Sequence, residues 1–201
     1  MKIKAQVFSD KKSSLRVDEE ATATHLPAFR RMIMTQRYSS PCGELLLGSY
    51  GDRLCLCDWL VNPRHEQVLQ RLQRSLKTTF CEVQSSVVEM AKCQLDEYFA
   101  GEREYFSIPL LLVGTDFQKQ VWKGLTDIPY GSTCSYIEQA TAMGRPQAVR
   151  AVANANALNA LPLFIPCHRV IGSNQKLTGY AGGLAAKGFL LELEQRRKVV
   201  G

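Results

Sequence analysis

Long apolar runs are missing from these 201 residues. A helix that spans a membrane needs roughly 20 consecutive apolar residues. None is present, so helical membrane proteins are excluded and no membrane partner is expected. The opening segment, Met1 to Val7, runs into charges and not into the apolar core of a signal peptide, so export is not expected. Histidine is scarce: His25, His65 and His168 are all there are. The seven cysteines are odd in number and show no disulfide-scaffold rhythm. Reduced thiols in a cytosolic compartment fit that pattern. Cys55 and Cys57 form a C-x-C in an expected strand, where residues two apart share a face. No second close pair accompanies them, so no metal is expected, and no cofactor either.

Acids are in the minority, 19 against 25 Lys and Arg, for a net charge of +6. The imbalance is uneven. Residues 38–134 carry nine bases against twelve acids, whereas residues 135–201 carry eight against three. A basic carboxy-terminal half suits an anionic polymer as partner, although a solvated surface gives the same count.

What remains is ordinary globular composition, 45% hydrophobic. Residues 1–30 show no sustained periodicity and are taken as an extension of unassigned role. Residues 31–38, 44–50 and 53–60 alternate as strands, the last two joined by a hairpin at Gly51-Asp52, which makes a small antiparallel meander. Helices are expected over 64–77 and 85–99, with Gly101 as a stop signal. A short strand is expected over 104–108, and the domain junction over 109–114. Thr115 or Asp116 caps a helix over 117–126.

Residues 135–142 and 147–158 read as two helices around a turn at Met143-Gly144-Arg145-Pro146, which is helix-turn-helix spacing. The second helix is slim with alanine, so it could approach a groove through Arg150, Asn154 and Asn156, or else pack inside. Ser173–Leu177 suits a hairpin wing. A helix over 185–195 closes the chain.

The chemistry centres on Phe164-Ile-Pro-Cys-His-Arg-Val-Ile-Gly172. Pro166 stiffens the backbone that presents Cys167. A thiol reacts as its thiolate, and an adjacent imidazole is one way to favour that form. A buried structural cysteine beside an unrelated histidine is the competing reading. If the segment is extended, neighbouring side chains point to opposite sides, so His168 reaches the sulfur through a water.

The words on either side decide between these readings. They are Phe-Gln-Lys-Gln-Val-Trp at 117–122, Ile-Pro-Tyr-Gly-Ser-Thr at 128–133, Ser135-Tyr136, Arg150-Ala151-Val152, Asn159 and Gly179-Tyr180-Ala181-Gly182-Gly183. Lys187, Leu190-Leu191 and Glu194 complete the series. In order and spacing the set resembles the O6-alkylguanine–DNA alkyltransferases, closely over residues 115–195 and loosely over 31–114.

The resemblance implies an α/β domain of ribonuclease-H-like type at 31–110, then a mostly α, winged helix-turn-helix-type domain at 111–201. It implies irreversible transfer of an alkyl group from O6 of guanine in double-stranded DNA to Cys167, one turnover per molecule, by a monomer; O4 of thymine stays open as a second target. His168 is then the base, and Glu194 orients it. Tyr136, Val170, Tyr180, Ala181, Gly182 and Lys187 form the base pocket. Arg150, Asn159 and Arg145 contact DNA, with Arg150 filling the space of the flipped nucleotide. Many relatives have Asn-Pro where this chain has Asn159-Ala160, which puts the stiffness of that loop in question. A lesion binder without a nucleophile, a transcriptional regulator with an amino-terminal zinc module, and a cysteine hydrolase are the alternatives. Cys167, the cysteine-free residues 1–30 and the helix-turn-helix spacing respectively disfavour them.

Overall fold

The computed structural model describes residues 32–198. The expected extension at 1–30 lies outside the described residues. Strands β1 (Ile33–Ser40), β2 (Gly43–Tyr50) and β3 (Arg53–Trp59) form the expected antiparallel meander. A fourth strand, β4 (Phe80–Glu82), pairs parallel with β1, giving the order β3-β2-β1-β4. Its three residues are too few to show a period in the sequence.

Helix α1 (His65–Leu76) covers one face of the sheet, where Val68 and Leu72 pack on Ile33, Cys55 and Leu56. Helix α2 (Ser86–Phe99) covers the other with Val88, Ala91, Leu95 and Tyr98. Burying each such side chain stabilises the fold by roughly 1.5–3 kcal/mol. A β-bulge breaks the alternation of β3: Gly48 pairs with Leu56 and Ser49 with Leu54, which leaves Cys55 unpaired. Cys55 therefore belongs to the α1 side and Cys57 to the α2 side. The shared face expected for the two sulfurs is not formed.

The expected strand at 104–108 is absent; Leu110 alone bridges to Leu54. Residues 109–114 are no free linker. Leu54 N–H donates to Pro109 O (2.9 Å), Leu111 N–H to Leu54 O (2.8 Å) and Cys57 N–H to Ala160 O (2.8 Å). The open edge of β3 is thereby capped by the rest of the chain.

The carboxy-terminal half is built on α3 (Asp116–Leu125), which Thr115 opens in a capping box with Gln118. Ser135 does the same with Glu138 for α4 (Tyr136–Ala142). After the turn, a short 3-10 segment at Pro146–Ala148 leads into α5 (Val149–Ala157). Strands β5 (Cys134–Ser135) and β6 (Val170–Ile171) form a two-residue parallel pair, and α6 (Gly183–Lys198) closes the fold. The expected hairpin wing is a tight turn instead, with Gly172 N–H donating to Lys176 O at 3.0 Å.

The two halves share one hydrophobic core, running from Leu45 and Trp59 through Tyr98 to Val121, Trp122 and Leu190. Arg71 of α1 also lies over the Trp122 ring, 5.2 Å from its centroid. Among the described residues no helix is long and apolar enough to cross a membrane.

Candidate active site

Cys167 lies in a 3-10 turn, Cys167–Arg169, and not in an extended strand. Pro166 turns the chain at ψ 66°, so Cys167 N–H can donate back to Ile165 O (2.8 Å). Asn159 secures the approach: its Nδ2 donates to Ile165 O (2.8 Å) and its Oδ1 accepts from Leu161 N–H (3.0 Å). This clamp stiffens the loop without a proline at position 160. Cys167 is 8% exposed and sits in a cleft of about 410 Å³. Tyr136, Asn156, Thr178, Tyr180 and Ala181 line one side of it, and Asn62 with Arg64 of the amino-terminal domain the other.

Behind the cysteine lies a fully buried carboxylate, Glu194. Its Oε1 accepts from His168 Nε2 (2.7 Å), Tyr98 Oη (2.8 Å) and Arg169 Nη2 (3.0 Å). Its Oε2 accepts from Arg169 Nε and Gly131 N–H, both at 3.0 Å. Burial opposes the charge, but His168 and Arg169 hold the carboxyl down at about 2. An ionised Glu194 can only accept, so His168 carries its proton on Nε2. Its Nδ1 is then a bare acceptor, and it has no partner among the described residues.

Burial lowers the His168 pKa, only partly offset by Glu194, so the imidazole is neutral at pH 7. Burial raises the Cys167 thiol, while the Asn159 side chain and the Lys187 charge pull it back part of the way. The resting pair is therefore thiol and imidazole. The abundant thiolate expected from an adjacent histidine is not the resting state, because desolvation outweighs the nearby charge. No direct hydrogen bond joins the two side chains, as expected, although the turn and not an extended strand keeps them apart.

Several expected pocket residues lie behind the wall. Lys187 is fully buried and donates from Nζ to Val170 O (2.6 Å) and Thr178 O (2.7 Å), tying β6 to the loop before α6. Gly182 packs on Trp59; a Cβ there would lie 2.7 Å from the indole, so that contact by itself calls for glycine. Tyr136 is half-buried, and burial raises its hydroxyl.

Of the expected DNA contacts, Arg150 and Arg145 are exposed, the latter over the Phe117 ring at 5.5 Å. Asn159 is 2% exposed and cannot touch DNA from the loop it clamps. Asn156 is likewise buried, on the inner side of α5. The outer side presents Arg150, Ala151, Asn154 and Ala157, and Asn154 accepts from Arg64 Nη1 at 2.7 Å.

Sequence reasoning missed Arg169 and Tyr98. A charged residue inside an apolar word needs a buried counter-ion, and an inward tyrosine needs a partner for its hydroxyl. Those two needs were the available signals, and Glu194 answers both.

The fold and site define a class: a ribonuclease-like α/β domain joined to a helix-turn-helix domain that holds one cysteine beside a His–Glu pair. Two family descriptions match the chain, the ribonuclease-like domain of 6-O-methylguanine DNA methyltransferase at residues 33–112 and its DNA-binding domain at 116–196. The constitutive methylated-DNA–protein-cysteine methyltransferase of Bacillus subtilis is 44% identical over 162 residues, 78% of this chain and 92% of the relative. The crystal structure of the Mycobacterium tuberculosis O6-methylguanine methyltransferase is 42% identical, with a TM-score of 0.70 over 83% of this chain and 94% of that one. A structure of the M. tuberculosis protein in complex with DNA gives 42% and 0.69 over 82% and 94%. This chain belongs to the 6-O-methylguanine DNA methyltransferase family.

Proposed function

We propose that this protein repairs DNA by moving a methyl or other alkyl group from O6 of guanine to Cys167 Sγ, once per molecule. The activity class, alkyl transfer from DNA to a cysteine, follows from family membership. The observation that carries the residue assignment is Cys167 in the cleft, with the bare Nδ1 of a tautomer-fixed histidine next in the chain.

When the damaged base enters, the Cys167 proton passes through a water to His168 Nδ1, and Glu194 stabilises the imidazolium. The sulfur attacks the alkyl carbon, the C–O bond breaks, and its electron pair leaves with the guanine. The Tyr136 hydroxyl, at the cleft wall, donates to the leaving base. Nothing in the site cleaves a thioether, so the product protein stays alkylated.

The exposed, small-residue side of α5 is the surface for DNA, and its slimness suits a minor groove. Arg150 fills the gap left by the everted nucleotide. The site is complete within one chain, which favours a monomer, and the seven free cysteines favour a compartment inside the cell.

Incubation with duplex DNA containing O6-methylguanine should add one methyl mass to the peptide that holds Cys167, and no more than one per molecule. Repeated turnover would refute the reading. Arg150→Ala should slow transfer from duplex DNA at least tenfold more than transfer from the free alkylated base, because only the duplex has a stack to fill. Equal losses would remove Arg150 from that role.

A further inference from the structure

Tyr98 belongs to α2 of the amino-terminal domain, yet its hydroxyl ends in the Glu194 cluster of the carboxy-terminal one. It is 1% exposed, and Phe99 and Tyr130 hold its ring edge-on, with centroids 5.4 and 6.2 Å away. An ionised Glu194 cannot donate, so the phenol does. Burial and that carboxylate both push the phenol pKa well above its usual value, which keeps the proton in place. The receiving atom is Oε1, at 2.8 Å, and His168 Nε2 donates to the same oxygen at 2.7 Å. Arg169 Nη2 is a third donor there, at 3.0 Å. An oxygen shared among three donors gives less of its charge to each.

We infer that Tyr98 is a positioning residue for the proposed transfer: by drawing on Glu194 Oε1, it lets the amino-terminal domain set how strongly His168 takes the Cys167 proton. The inference rests on the function proposed above. The other charged and titratable groups around the ring are Cys167 and Arg169 of its own turn, Glu194 and Lys187 of α6, and Tyr180, whose ring lies 6.3 Å away. Tyr130 touches the cluster through Tyr98 and Arg169. Glu194 favours the imidazolium, and Arg169 and Lys187 oppose it. Removing the Tyr98 hydroxyl leaves all of these in place and returns charge on Oε1 to His168.

The test compares the wild type with Tyr98→Phe, which loses one oxygen and leaves Glu194 four of its five donors. The full chain, labelled at histidine, is titrated by NMR without DNA, and the signal missing from a His168→Asn chain identifies the ring. In the variant the His168 midpoint should rise by about one pH unit, a tenfold gain in proton affinity. The acid limb of single-turnover transfer should move with it. A tyrosine that only filled space would leave the midpoint where it was, whatever it did to stability. An unmoved midpoint, or one that rises without the acid limb, overturns the inference. If Tyr98→Phe fails to fold, Tyr98→Met replaces it, since methionine fills the space without a hydroxyl. Should neither fold, the wild type decides: nitrogen shifts that place the neutral proton on Nε2 support the shared oxygen, and a proton on Nδ1 overturns it. The titration needs no substrate, so a chain that passes it and transfers no methyl group would sink the proposed function and not the sharing of the oxygen.

Discussion

A Cys167→Ser chain is expected to bind duplex DNA as the wild type does and to accept no methyl group. On the proposed reading the sulfur is the acceptor, because displacement at an alkyl carbon needs a soft, anionic nucleophile. A serine hydroxyl is harder and far less acidic, and burial at this site already pushes even the thiol upward. The neutral base at His168, with its lowered pKa, cannot deprotonate an alcohol to any useful extent. DNA affinity should survive, because the substitution leaves the exposed side of α5 and its Arg150 unchanged. Intact mass and a gel-shift titration at fixed salt measure the two halves of this expectation. Methyl mass on the serine chain would move the acceptor to another thiol.

Glu194→Gln should damage both the chemistry and the fold. In the wild type one carboxylate receives five donated hydrogen bonds from three segments, α2, the loop at Gly131 and the turn at 167–169. A glutamine keeps the shape but removes the charge that offsets the buried Arg169. Breaking a buried pair from one side costs about 3–5 kcal/mol. The amide also turns a donor toward the cluster. If it meets His168, the ring proton moves to Nδ1, the side on which a base is needed. Single-turnover transfer should fall by on the order of 10³–10⁴, as for a histidine held in the wrong tautomer.

The pH dependence carries the same signature. Glu194 sits near 2 when folded, against 4.5 ordinarily. A depressed carboxyl stabilises the fold fully above its unfolded pKa, and that contribution is lost as pH falls toward about 2. The amount is about 3 kcal/mol. His168 adds to the slope higher up: its folded pKa is lowered, so its contribution is lost below about pH 6.5, where the unfolded imidazole takes up a proton. Urea denaturation at pH 7 and at pH 3 should show the wild type losing about 2 kcal/mol more than the variant, since at pH 3 the unfolded carboxyl is protonated and the folded one still mostly charged. Equal losses would mean that Glu194 is not the group being titrated.

Much of this architecture was legible in the residues. The meander, α1 to α3 and the helix-turn-helix pair rest on local signals: alternation, apolar stripes, and the caps at Thr115 and Ser135. Cys167, His168 and Glu194 could be singled out from ordered words in the chain, and the structure brings His168 and Glu194 to 2.7 Å. What escaped was decided by long-range contact. β4 exists because β1 offers it an edge. The bulge at Cys55 is a property of the β2–β3 pairing and not of the C-x-C word. Asn156 and Asn159 look like surface asparagines in sequence, yet both are buried, the first bonded to Gln139 of α4 and the second clamping its own loop at Ile165. Tyr98 is 96 positions away from the carboxylate it supports.

That last separation matters less for folding than the burial of Cys167 does for economy. A molecule that works a single time should not be spent on the wrong electrophile. With its sulfur sunk in the cleft and still protonated, the resting protein is a poor target for stray alkylators and oxidants. The desolvation that would slow an ordinary thiol enzyme acts here as a safety catch, keeping the dose of repair in reserve until a lesion arrives to draw it.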